Sequence, residues 1–212
     1  MIRVDLHVHS SASFDCKSDP QQVADQCRRL GLAPVFLTDH DTIDGAALLQ
    51  ADRLTQVVMG EEIMTSGGEL IGLFLQRRVP PGLSPAQTAQ EIKDQGGLVY
   101  LEHPYDSFRR HLAEHEIEAL GDLIDIVEVF NGRSDEKANR LAEDLCGTLG
   151  AVPGAGSDAH SINEIGTAYV EIEDFDGPSD FLSKLRRGKV VRRRSKLLLM
   201  AEARLGHNIR RR

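Results

Sequence analysis

At 212 residues the chain is long enough to bury one full α/β core. Its 41% hydrophobic and 27% charged content excludes a disordered chain, and no apolar run approaches the ~20 residues of a membrane span. A net charge of −8 makes a poor generic nucleic-acid binder unless metal ions neutralise the acids. Cys16, Cys27 and Cys146 show no CxxC spacing, which argues against a zinc knuckle and a disulfide framework alike. The segment Met1-Ile2-Arg3-Val4-Asp5 lacks the apolar stretch of a secretory signal, so a cytoplasmic location is expected.

Short apolar runs alternate with amphipathic segments, the pattern of an α/β chain. Residues 4–9 read as a first strand, followed by a helix over 20–30 with Asp19 as cap and Gly31 as stop. A strand over 35–38, a helix over 45–54 and a strand over 57–59 come next. Residues 69–76 predict a strand in a hairpin through Ser66-Gly67-Gly68, before the rigid break Pro80-Pro81-Gly82. Ser84 caps a helix to residue 95, a strand covers 98–101, and a charged helix is expected over 108–120. Then follow a strand over 124–130, a helix over 134–149 and a short strand over 151–155. The remaining expectations are a strand over 167–172, a helix over 178–187, a strand over 189–193 and a closing helix over 195–206. One domain over 1–194 with a basic tail over 195–212 is the economical division. From Leu182 onward the sequence holds 12 basic side chains and one acid, so that tail could meet phosphates or simply be a solvated end.

Metal-capable side chains stand at one predicted strand end after another. They are His7 and His9, then His40, Glu62, His103, Glu128, and Asp158 with His160. Residues i and i+2 of a strand point to one face, so His7 and His9 present two imidazoles together, with Asp5 on the same period. In an α/β barrel or open parallel sheet the C-terminal strand ends share one face, where sites form. Any one of these residues alone would more often be a pairing or packing group. Together they describe a multinuclear site. Imidazole with carboxylate and no thiolate suits Zn, Mn or Fe, and the ligands are too many for one ion. Several ions sharing carboxylates point to hydrolytic phosphate chemistry.

The stretches Asp5-Leu6-His7-Val8-His9-Ser10, Leu37-Thr38-Asp39-His40-Asp41-Thr42, Gly60-Glu61-Glu62-Ile63, Glu102-His103-Pro104 and Gly156-Ser157-Asp158-Ala159-His160 resemble, in this order, the motifs of the PHP (polymerase and histidinol phosphatase) superfamily. The likeness is to its stand-alone metal-dependent phosphoesterases and runs from Ile2 through Val191. The resemblance implies a distorted (β/α)7 barrel with a trinuclear site, holding two or three divalent ions per chain. It implies a first ion on His7, His9, Glu62 and Asp158, and a second sharing Glu62 with His103 and Glu128. A third would take Asp15, His40 and His160. Two departures stand out: Glu128 lies where relatives often carry histidine or cysteine, and Glu102 precedes the His-Pro where a small residue is commoner.

Asp39 is expected to brace His40 or a neighbouring ligand, or to be a strand-end turn residue. Arg133 could fork onto a substrate phosphate or face solvent. His111 and His115 are spaced i and i+4 on a charged helix and read as solvated. The expected reaction is hydrolysis of a phosphate ester by a hydroxide held between ions, with His160 or His40 protonating the leaving group. The expected partner is a small phosphorylated substrate, a nucleotide or an oligonucleotide end, with no membrane; oligomeric state is open. Histidinol phosphate is the rival substrate, amide hydrolysis a rival reaction, and a metal-stabilised regulatory or binding module without catalysis the rival of another class.

Overall fold

The computed structural model describes residues 1–53 and 55–192. Local chemistry sets the element ends. Helix α1 (Pro20–Leu30) starts where the Asp19 carboxylate accepts the Gln21 N–H, and stops at Gly31 with φ 69°. Helix α3 (Pro85–Asp94) opens on a capping box between Ser84 and Gln87. Helix α5 (Glu136–Leu149) is capped by Asp135 and closed by Gly150. The other helices are α2 (Asp44–Asp52), α4 (Glu114–Leu120) and α6 (Gly177–Leu185).

Six strands form one sheet in sequence order: β2 (Val35–Leu37), β3 (Val57–Met64), β4 (Glu69–Leu73), β5 (Leu98–Leu101), β6 (Ile126–Asn131) and β7 (Val152–Gly156). Only β4 runs antiparallel to its two neighbours; the other pairs are parallel. The gap between β7 and β2 is filled by residues 5–9. On one side Leu6 N–H donates to Ala155 O at 3.2 Å and His9 N–H to Ala159 O at 3.0 Å. On the other, Thr38 N–H donates to Val8 O at 2.9 Å. Seven chain segments therefore ring a common interior, the distorted (β/α)7 barrel expected. Its parallel strand ends, with the start of antiparallel β4, open on one mouth.

The opposite end is plugged by apolar packing. Phe181 of α6 lies 5.2 Å from Phe36, 5.2 Å from Phe74 and 4.8 Å from Phe175, ring to ring. It shares a core with Val58, Leu98, Ile126 and Val152, which stand at or next to the first residues of their strands. A second sheet, β1 (Ile2–Val4), β8 (Ala168–Ile172) and β9 (Lys189–Arg192), is wholly antiparallel.

Three expectations change. The first ladder covers only Ile2–Val4, because residues 5–9 leave β8 and are held by the barrel. Strand β3 continues to Met64, since pairing with β4 runs on to Met64 and Glu69; Glu62 therefore lies inside the strand. Only Glu114–Leu120 of the helix expected over 108–120 is helical. Asp106 holds the segment before it, accepting the Phe108 N–H at 3.0 Å and pairing with Arg109. His111 is therefore off the helix, with Nδ1 3.1 Å from Asp106 O, whereas His115 is exposed on it. The predicted helix over 195–206 and the basic tail lie outside the described residues. No helix among the described residues is long and apolar enough to cross a membrane.

Barrel closure depends on Asp5. This buried carboxylate accepts the Ser157 N–H at 2.8 Å and the Gly166 N–H at 2.9 Å. Asp5→Ala strips the acceptor from three backbone donors, the His7 N–H at 3.4 Å included, and should lower stability by about 2–4 kcal/mol in urea unfolding. A loss below ~0.5 kcal/mol would show that closure does not rest on this side chain.

Candidate metal centre

The backbone bonds that pin residues 5–9 between β7 and β2 aim His7 and His9 into the mouth together, ring centroids 5.0 Å apart. Behind each ring stands a partner for Nδ1. For His7 it is Glu128 Oε1 at 3.2 Å; for His9 it is Ser13 Oγ at 3.3 Å. Ser13 Oγ donates to Asp39 and accepts the His40 N–H, so it is left to accept from His9. Both histidines thus turn Nε2 forward, as rings that ligate a metal do. His7 Nε2 lies 3.0 Å and His9 Nε2 3.1 Å from Glu62 Oε2, and Asp158 Oδ1 is 3.8 and 3.7 Å away.

Other strand ends add to this core. His103 Nε2 is 3.3 Å from Glu62 Oε1, and His40 Nδ1 is 3.5 Å from Glu62 Oε2. His160 and Asp15 form the rim, with Nε2 and Oδ2 3.0 Å apart; His40 Nε2 is 3.6 Å from the same oxygen. Arg133 Nη1 is 2.6 Å from His160 Nδ1. The same nitrogen lies 3.0 Å from Asp158 O, so it meets a donor and an acceptor at once, while Nε2 faces Asp15. His103 and Asp158 have φ of 27° and 53°, left-handed values that cost side-chain-bearing residues and recur at functional sites. Gly156 permits the close approach: a Cβ there would lie 2.3 Å from His7 Cβ.

Charge in the cluster is strongly coupled. Burial lowers the basicity of His7, but the carboxylates of Glu62, Asp158 and Glu128 outweigh it and hold the ring well above its usual pKa. Burial pushes Glu62 up, yet the charge of His7 and the hydrogen bonds of His103 and His7 hold it well below the usual range. Asp158 is likewise held low against its burial by His7 and Arg109. His9 is lowered, chiefly by burial. The inner acids thus demand positive charge, which a protonated His7 or a divalent ion would provide.

The residues fit such ions. His9 Nε2 and His103 Nδ1 are buried without a hydrogen-bond partner. Ligand atoms lie within 4.8 Å of one another in the groups His7–His9–Glu62, His7–His103–Asp158, His9–His40–His160, His40–Glu62–Glu69 and Glu62–Glu102–His103. The donors are imidazole and carboxylate, suited to Zn, Mn or Fe. Cys16 is buried with its thiol on backbone oxygens of His9 and His160, outside these groups.

Two of the expected site residues stand behind the cluster. Glu128 does not face the open cluster. Its oxygens accept from Tyr100 OH at 2.9 Å, His103 N–H at 3.0 Å and Asn131 Nδ2 at 2.9 Å, besides facing His7 Nδ1. With its acceptor positions taken by protein donors, it supports His7 from behind. Asp39 does not face the cavity either. It accepts from Ser10 N–H at 2.6 Å, Ser10 Oγ at 2.8 Å and Ser13 Oγ at 2.9 Å, and acts on His9 through Ser13.

Sequence reasoning missed Glu69 and Arg109. Glu69 opens antiparallel β4 and so starts at the mouth; burial lifts its pKa to about 7. Arg109 Nη2 lies 2.9 Å from Asp158 Oδ2, and the expected helix had placed it on an outer surface. Glu102, the carboxylate before His103-Pro104, is buried and accepts the Ile71 N–H at 3.0 Å. Burial keeps its pKa well above the usual range.

A family profile described as PHP-associated matches residues 136–190. An uncharacterized protein of Methanocaldococcus jannaschii is 31% identical over 212 residues, an alignment covering 93% of this chain and 85% of the relative. A two-domain protein from Bacteroides vulgatus, containing a predicted PHP-like metal-dependent phosphoesterase, superposes with TM-score 0.74 at 20% identity, over 91% of this chain and 65% of that one. The lesion-specific endonuclease EndoQ of Pyrococcus furiosus superposes with TM-score 0.66 at 15% identity, over 89% and 57%. At those identities the two structural likenesses speak for the fold alone.

The position of Glu128 has a measurable consequence. Glu128→Gln should weaken metal affinity about 10–100-fold, as loss of an orienting partner does, while the stoichiometry at saturating metal stays unchanged. A stoichiometry lower by one ion in elemental analysis would make Glu128 a ligand.

Proposed function

The chain belongs to the PHP superfamily, and on that premise we propose that it is a metal-dependent phosphoesterase acting on a nucleotide or oligonucleotide end. The observation that carries this reading is the convergence of His7, His9, His103, Glu62 and Asp158 in one buried cluster beneath a cavity of about 470 Å³. These five residues would hold the inner ions, and Asp15, His40 and His160 would hold a third or serve the leaving group. Bound divalent ions supply a water acidified toward neutrality and positive charge against the phosphoryl oxygens.

The protein's own groups do the rest. Arg109 and Arg133 line the cavity and bring positive charge to phosphate oxygens bound there. Arg109 is held over the cluster by Asp158 and Asp106, so its position is fixed before substrate arrives. His160 stands at the rim with Nε2 toward Asp15, where the protonated ring would give its Nε2 proton to a departing alkoxide. Asp15 faces that nitrogen and supports the charged ring before transfer. Glu128 and Ser13 keep the forward nitrogens of His7 and His9 in place throughout.

Purified protein loaded with Mn, Zn or Fe should release phosphate from p-nitrophenyl phosphate or from a nucleotide panel, and chelation should abolish it reversibly. His9→Ala and Asp158→Ala should lower kcat/KM by more than ~100-fold with the fold retained by circular dichroism, since loss of a ligand exceeds loss of its support. No turnover with any of the three metals would contradict the reading. His160→Ala separates two roles at the rim. As proton donor, its loss should cost an alkyl phosphate ~100-fold or more and spare p-nitrophenyl phosphate, whose leaving group needs no proton. Equal losses with a lower metal content would make His160 an ion ligand instead.

A further inference from the structure

Five of the seven phenylalanines pack in the core: Phe36, Phe74, Phe130, Phe175 and Phe181. Phe14 and Phe108 do not, being 84% and 94% exposed. Both lie on loops that follow ligand-bearing segments, after His9 and after His103. Single exposed apolar side chains are ordinary on a protein surface. Phe14 differs by its position. Its ring centroid lies 5.1 Å from that of His40, and it borders the same cavity as Arg109, Arg133 and the inner acids.

Met64 and Arg110 line the same cavity. The Arg110 guanidinium touches Met64 Sδ at 3.6 Å, and among the described residues no carboxylate lies within ion-pair distance of it. Arg109, by contrast, is committed to Asp106 and Asp158. The rim thus offers an open aromatic face and an uncommitted cation, both outside the ligand shell. A phosphate bound at the metal cluster would leave most of a 470 Å³ cavity to whatever the phosphate is attached to.

We propose that Phe14 and Arg110 form a specificity subsite: Phe14 stacks a nucleobase, and Arg110 pairs with a second phosphate beyond the one hydrolysed. The proposal rests on the phosphoesterase reading and names its substrate class. A nucleobase presents a flat π-face whatever its identity, and arginine pairs with phosphate through two parallel hydrogen bonds. The His40 ring lies 5.1 Å from Phe14 and 4.7 Å from His9, so Phe14 stands beside the cluster, where a base attached through a sugar would lie. An aryl phosphate ester such as phosphotyrosine would keep its ring at the cluster, short of Phe14.

The test compares three esters on metal-loaded protein: glycerol phosphate, thymidine 5′-monophosphate and a 5′-phosphorylated thymidine dinucleotide. Phe14→Ala should lower kcat/KM about 10-fold or more for the two nucleotides, and less than twofold for glycerol phosphate. Phe14→Trp should retain nucleotide turnover, which a purely structural role for the phenyl ring would not predict. Arg110→Ala should lower turnover of the dinucleotide more than that of the monophosphate. Equal losses on all three esters, or no loss on the nucleotides, would overturn the subsite while leaving the phosphoesterase reading intact. So would preference for a phosphotyrosine peptide over the dinucleotide. Calorimetry with the same ligands separates the remaining case. If the wild type hydrolyses none of them, the phosphoesterase reading fails, and tighter binding of the dinucleotide than of glycerol phosphate, lost in Phe14→Ala, still supports the subsite. Equal affinities would overturn it.

Discussion

Glu62 is a carboxylate in the barrel interior with four imidazole nitrogens within 3.5 Å, from His7, His9, His103 and His40. A buried charge on this scale costs several kcal/mol unless partners surround it. No single neighbour supplies those partners. His7 and His9 arrive on the segment that closes the barrel, His40 follows β2, and His103 follows β5. The barrel must close for Glu62 to be tolerable, and Glu62 gives the closing segment a fixed end-point. A cation at its centre satisfies the remaining acids Asp158 and Glu69 by the same means.

That demand shapes the backbone. The left-handed φ at His103 and Asp158 turns each side chain in from the end of a strand. Local strain of this kind persists only where the surroundings over-determine it. Here they do: Glu128 accepts the His103 N–H, and the Asp158 N–H donates to His7 O at 2.8 Å. Gly156 lets β7 come close enough for both contacts, because a side chain there would collide with His7 and Glu128. The glycine of Gly156-Ser157-Asp158-Ala159-His160 is a packing requirement of the His7 side, not a loop convenience.

Much of this was legible in the chain itself. Caps such as Asp19, Ser84 and Gly31 are local chemistry, so helices α1 and α3 appear in the sequence to within a residue. The inner cluster was legible because each of its residues lies in or just after a strand and strand ends of an α/β barrel meet. What was not legible depended on partners distant in sequence. The segment before α4 looked helical until Asp106 drew Arg109 toward Asp158. Glu128 looked like a ligand because residue type cannot reveal that Tyr100, Asn131 and the His103 N–H already occupy its oxygens. Glu69 escaped because it begins an antiparallel strand, whose start and not whose end faces the mouth. Asp39 reached its histidine through Ser13, a link that a sequence motif does not record.

The central claim is that distant strand ends build one inner site for divalent ions around Glu62. A crystal of the Mn-loaded protein, with data collected at an energy where manganese scatters anomalously, tests it most directly. The account predicts an anomalous peak within coordination distance of His7 Nε2, His9 Nε2, Glu62 and Asp158. Absence of any peak there at saturating metal, or a peak ligated by other residues, would contradict it.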